Sequence, residues 1–169
     1  MIDQIRTLTF VTESNHIEGI ETVTDEEIKA TRDFVTKNTI TIPDLCELVS
    51  VYQPGTVLRD RVGLDVRVGG YFPPRGGPAI LTQLGEVLEH WDPYWTHVRY
   101  ELLHPFTDGN GRSGRALWLH RMIKGIGWPR LSFLHTFYYQ TLANVEGHPY
   151  IDTTVTKPVP RFGASDGST

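Results

Sequence analysis

Cysteine is almost missing from this chain: Cys46 is the single one in 169 residues. One thiol excludes an internal disulfide framework and any zinc site built on several cysteines, and it fits a reducing compartment. An excess of basic residues is missing too. Sixteen Lys and Arg against 20 Asp and Glu leave a net charge of −4, with an isoelectric point near 5.9. That balance argues against a nucleic-acid-binding domain held by a global basic surface. No apolar run approaches the roughly 18–20 residues of a membrane span, so no membrane partner is expected. The opening MIDQIRTLTF carries Asp3 and lacks the apolar stretch of a secretory signal. There is no internal repeat and no low-complexity block. What is present, 39% apolar and 21% charged residues, is ordinary for a soluble globular protein, expected here to be cytoplasmic. At about 150 residues a chain buries roughly 68–70% of its unfolded surface and needs no staple.

The apolar spacing predicts a mainly helical chain with one interruption. Ile2, Ile5, Leu8, Val11 and Ile17 recur at helical spacing over 2–18, and Gly19 ends that helix. Thr24 with Glu27 three residues on reads as a capping box for a second helix, running to about Asn38. Thr41 and Pro43 open a third, halted by Pro54-Gly55. Further helices are expected over 78–91, from Pro93 to His104, from Asn110 to Gly125 and over 132–145. Between 57 and 76 the pattern changes. Val62, Leu64, Val66 and Val68 alternate with polar or glycine positions before Gly69-Gly70, which predicts a strand or hairpin lying on the helical body. Residues 151–169, with Pro158 and Pro160, read as an extended C-terminal tail.

The run His104-Pro105-Phe106-Thr107-Asp108-Gly109-Asn110-Gly111-Arg112-Ser113-Gly114-Arg115 breaks local rules together. Three glycines crowd six positions, each costing up to about 1 kcal/mol inside a helix. Arg112 and Arg115 sit in the first turns of a helix, where the macrodipole disfavours cations. An anion at that helix end resolves both anomalies. Free N–H groups at a helix start favour phosphate, glycines allow close approach, and arginines add charge-assisted bonds suited to a polyphosphate. Asp108 can hold a Mg²⁺ that bridges phosphate oxygens, and His104 titrates near neutrality as a base. Together these residues describe phosphoryl or nucleotidyl transfer.

This run resembles the signature of the Fic domain, H-x-F-x-[DE]-G-N-G-R-x-x-R, at every fixed position, and the resemblance extends over roughly residues 1–145. It implies a Fic-type helical bundle with a β-hairpin flap near 63–76, in a domain spanning 1–150. It further implies AMP transfer from ATP to a Tyr, Thr or Ser hydroxyl of a target protein, with Mg²⁺ or Mn²⁺ as cofactor. In those terms His104 is the general base, Phe106 the buried anchor of the loop and Asp108 the metal carboxylate. Gly109, Asn110 and Gly111 form the anion hole, and Arg112 and Arg115 hold the β- and γ-phosphates. Ser14-Asn15-His16-Ile17-Glu18-Gly19 likewise resembles the family's inhibitory motif, [ST]-x-x-x-E-[GN], placed on an N-terminal helix over about 2–19. There Ser14, Glu18 and Gly19 are the matched positions, and Glu18 is expected to pair with Arg115 and block the γ-phosphate pocket. An open strand edge of the flap would take an extended target segment through main-chain bonds. Alternatives are removal of AMP from a modified protein by the same fold, or a non-catalytic Fic-fold binding module. Self-association stays open.

Overall fold

Two threonines start two helices by the same chemistry. Thr24 accepts the Glu27 N–H at 3.1 Å while the Glu27 carboxylate takes the Thr24 N–H at 2.9 Å, opening α2 (Asp25–Thr36). Thr41 and Asp44 repeat the exchange at the head of α3 (Ile42–Tyr52), with Pro43 in its first turn. The computed structural model describes residues 4–144; Ile2 and the tail expected over 151–169 lie outside the described residues. Among those described there are five more helices: α1 (Gln4–Ile17), α4 (Ala79–Glu89), α5 (Pro93–Leu103), α6 (Asn110–Gly125) and α7 (Phe133–Ala143). The mainly helical expectation holds, and no described helix is long and apolar enough to cross a membrane.

The axis of the bundle is α6, which packs against α1, α2, α3 and α5. Every residue from Arg112 to Met122 is buried. Leu117, Trp118 and Leu119 are fully enclosed, facing Leu45 of α3, Ile80 and Leu84 of α4 and Tyr100 of α5 in one core. Each fully buried aliphatic side chain contributes about 1.5–3 kcal/mol. The exposed Lys29–Asp33 pair supplies only about 0.3–0.5 kcal/mol, so burial around α6 dominates. Polar side chains on α6 find partners across the bundle. Trp118 Nε1 donates to Gln140 Oε1 of α7 at 2.9 Å, and Arg121 donates to the Leu88 carbonyl near the end of α4 at 2.6 Å.

The helix expected over 2–18 forms over Gln4–Ile17, whereas the strand or hairpin expected over 57–76 is not found among the described residues. The buried face of α1 is Thr7, Phe10, Val11, Ser14 and Asn15, whereas Ile5, Leu8 and Ile17 are exposed. The helix turns a largely polar stripe inward because that stripe meets charged side chains of the site. Over 57–76 no strand forms among the described residues. The alternating segment is a loop whose tip, Gly69-Gly70, is closed by reciprocal backbone bonds between Val68 and Tyr71 of 3.0 and 2.9 Å. An isolated two-stranded ribbon is marginal by itself, and here side chains and turns fasten the segment instead.

Candidate functional site

The loop between α5 and α6 carries the motif. Pro105 cannot continue α5, and His104 ends it in the left-handed region (φ 50°, ψ 61°), the one non-glycine residue with positive φ among those described. That conformation costs a β-carbon residue about 1–2 kcal/mol and persists only where surroundings enforce it. The buried ring of Phe106 anchors the loop. Asn110 staples it: its Oδ1 accepts the Phe106 N–H and its Nδ2 donates to the Phe106 carbonyl, both at 2.9 Å. The Asn110 side chain is therefore spent inside the loop, and what it offers outward is backbone.

Gly109, in the left-handed region (φ 73°), turns the chain into α6. The first backbone bond of that helix runs from Ser113 N–H to the Gly109 carbonyl at 3.1 Å, so the N–H groups of Asn110, Gly111 and Arg112 have no acceptor within the helix. This is the geometry of an anion cradle. The Glu18 carboxylate lies beside it, against the Gly111 backbone. A Cβ placed on Gly111 would collide with Glu18 Oε1, so only glycine lets that oxygen approach.

Arg115 receives Glu18. Its Nη2 donates to Glu18 Oε1 at 2.7 Å and to the Ser14 carbonyl at 2.9 Å, while Nε donates to Ser14 Oγ at 2.9 Å. The Arg115 side chain is 6% exposed and that of Glu18 40%, so the carboxylate can withdraw toward solvent while the guanidinium stays in place. Arg112 goes elsewhere. It donates to Gln53 Oε1 at 2.8 Å and to Glu27 Oε1 at 3.3 Å, lying over the Tyr52 ring at 5.4 Å. Glu27 thus serves twice, as capping carboxylate of α2 and as the buried partner of Arg112. Gly19 (φ 74°) ends the α1 turn beyond Glu18.

His104 is half-buried, and its Nδ1 is sealed from solvent without a full hydrogen bond. Burial holds its pKa below the ordinary value near 6.5. The Glu101 carbonyl opposes that shift, Arg59 adds to it, and the carboxylates of Asp108 and Glu18 oppose it. The result is a neutral imidazole at physiological pH, the form a proton acceptor requires. Asp108 is exposed at the head of α6, where its Oδ1 accepts the Gly109 N–H at 2.6 Å. Among the described residues no three His, Cys, Asp or Glu side chains cluster as a metal cage. A lone carboxylate beside an anion cradle fits the way Mg²⁺ is shared with substrate phosphates.

Several residues at the site escaped sequence reading. Arg59 is fully buried and donates to the carbonyls of Leu64 (2.7 Å), Leu103 (3.2 Å), His104 (2.6 Å) and Pro74. Glu13 of α1 accepts the N–H groups of Phe133 (2.8 Å) and Leu134 (3.0 Å), capping α7. On α5, His97 and Glu101 face each other at 4.0 Å. Burial lowers the His97 pKa to about 4 and raises that of Glu101 to about 7. Each stands alone in sequence, with no local motif to mark it.

No protein-family model matches the chain. Curated proteins named "Protein adenylyltransferase Fic" do. Those of Drosophila virilis and Drosophila mojavensis are each 34% identical over 115 residues, covering 56% of this chain and 22% of the relative. That of Drosophila persimilis is 34% identical over 115 residues, covering 56% of this chain and 21% of its own length. The chain therefore spans about a fifth of the curated relatives it matches, and its similarity is to Fic adenylyltransferases.

Proposed function

We propose that the chain is a protein adenylylyltransferase that moves AMP from ATP to a Tyr, Thr or Ser hydroxyl of a target protein, and that Glu18 holds it inhibited. The observation that carries this reading is the meeting of Glu18 with Arg115 over the Gly111 backbone, at a helix start that His104 and Asp108 flank in the chain. The ATP polyphosphate lies along the N–H groups of Asn110, Gly111 and Arg112, and Arg112 and Arg115 supply countercharge. The target oxygen attacks the α-phosphorus, forming a new O–P bond as the α–β P–O bond breaks and pyrophosphate leaves. His104 takes the hydroxyl proton at Nε2, because Nδ1 is sealed. Asp108 would hold Mg²⁺ or Mn²⁺, which would supply charge neutralisation for the leaving group. The target would lie along 63–76 through its own backbone, where Val68 and Phe72 are exposed.

Incubation with ATP labelled separately at the α- and γ-phosphate tests this. Label from α alone is expected, and it should vanish in His104→Ala while ATP still binds. Label from γ alone would make the chain a kinase. Release of AMP from a pre-labelled target would favour the removal reaction, and no transfer of either label would favour a binding module.

A further inference from the structure

Arg59 has no place in the phosphate chemistry, yet it is among the largest fully buried side chains of the protein. A buried guanidinium needs acceptors for its fork of donors or it destabilises the fold. Arg59 finds them in backbone carbonyls, not in a carboxylate. Nε donates to the Leu64 carbonyl at 2.7 Å and Nη2 to the Pro74 carbonyl, so it clasps both limbs of the 63–76 segment. Nη1 donates to the carbonyls of His104 at 2.6 Å and Leu103 at 3.2 Å. The Arg59 backbone makes two further bonds, its N–H donating to the Pro105 carbonyl and its carbonyl accepting the Gly77 N–H, each at 2.9 Å. One residue thus joins the end of α5, the motif loop and both ends of the exposed segment.

The limbs are held close. A Cβ on Gly76 would lie 2.8 Å from the carbonyl oxygens of Arg61 and Leu64, and the Gly76 N–H donates to Asp65 Oδ1 at 2.8 Å. Asp65 is also the carboxylate that favours the charged form of Arg59 against its burial.

We propose that Arg59 is a positioning residue: it holds His104 in its left-handed backbone conformation and fixes the 63–76 segment, where a target hydroxyl would dock, in register with the His104 ring. The proposal rests on the reading of His104 as proton acceptor. Two observations support it. The residue whose conformation is costly is the one whose carbonyl receives the shorter of the two Arg59 Nη1 bonds, at 2.6 Å. The same guanidinium reaches no residue of the phosphate cradle, so it can act on transfer without acting on ATP binding. Lysine, a point donor on a flexible stem, cannot reproduce a fork spread over four carbonyls.

The test uses the full chain carrying Glu18→Gly as parent. Arg59→Lys keeps the charge and removes the fork. In the folded variant we expect transfer to fall about 100-fold, the loss typical of a misplaced reacting group, with ATP affinity by calorimetry unchanged. The His104 backbone NMR signals should leave their left-handed values. Asp65→Ala, which removes the acceptor of the Gly76 N–H and the carboxylate that favours charged Arg59 while leaving the guanidinium fork and the cradle in place, should move the same signals and transfer in the same direction by less, and it decides the matter if Arg59→Lys does not fold. The proposal is overturned if His104 signals stay in place in the folded variants, or if transfer drops only in proportion to the folded fraction. A parent that transfers no AMP, while His104 signals still respond to Arg59→Lys, would sink the transferase reading and leave the positioning of His104 by Arg59 standing.

Discussion

Glu18 and Arg115 stand 97 positions apart in sequence and meet at 2.7 Å, with the Glu18 carboxylate pressed against the Gly111 backbone. The contact joins the end of α1 to the first turns of α6. It sets a tethered carboxylate where the helix start and its arginine would otherwise attract a phosphate. Ser14 stiffens the arrangement by occupying Nε and part of Nη2 of the same guanidinium. Withdrawal of α1 would release Arg115 from three hydrogen bonds at once.

The first prediction concerns what holds α1 down on its other side. Glu13 caps α7 through the Phe133 and Leu134 N–H groups, the task a local N-cap usually performs, and Ser132 makes no such side-chain bond. Glu13→Ala should cost about 1 kcal/mol of stability, as loss of a cap does. It should also raise AMP labelling partway toward a released enzyme. Urea denaturation and α-labelled ATP check both; unchanged stability would remove Glu13 from the account.

The second concerns pH. Glu101 has Oε1 sealed from solvent although 31% of its side chain remains exposed, and its folded pKa is raised to about 7. A carboxyl shifted upward contributes stability that is complete below its unfolded value, near 4.3–4.5, and is lost as pH rises through 7. His97 and His120, both lowered to about 4 by burial, act oppositely, adding stability as pH rises from about 4 to 6.5. Glu101→Gln removes the opposing contribution. Its unfolding free energy should therefore climb more steeply than wild type between pH 4.5 and 7. Parallel profiles would contradict the assignment.

The third concerns metal. Asp108 is the carboxylate at the head of the cradle, and polyphosphate chemistry needs its charge neutralised. Transfer should stop in EDTA, return with Mg²⁺ or Mn²⁺, and be lost in Asp108→Ala with the fold intact. Transfer indifferent to chelation would count against Asp108 as the metal carboxylate.

Much of this was legible in the sequence where the signal was local. Thr24 with Glu27 and Thr41 with Pro43 marked helix starts, because capping is chemistry within four residues. The motif's crowding of glycines and arginines marked the helix start at Asn110. What could not be read required contacts between distant segments. The inward face of α1 is polar because Ser14 serves Arg115 and Asn15 serves Glu27, and no periodicity of apolar residues reports that. Alternation over 62–68 looked like a strand, but no neighbouring strand exists among the described residues to complete one, and Arg59, 45 positions from His104, supplies the fastening instead. Glu27 carried a hint: a capping carboxylate that is also buried needs a cation, and Arg112 provides it.

The most direct test of the account is AMP labelling from α-labelled ATP by wild type, Glu18→Gly and Arg115→Ala side by side. Removing the carboxylate frees Arg115 and clears Gly111, and 1.4 kcal/mol of relief is already tenfold in an equilibrium. Glu18→Gly should therefore label itself or its target at least about tenfold more than wild type, while Arg115→Ala, which also loses the phosphate contact, should not. Equal labelling by wild type and Glu18→Gly would contradict the inhibitory role of Glu18.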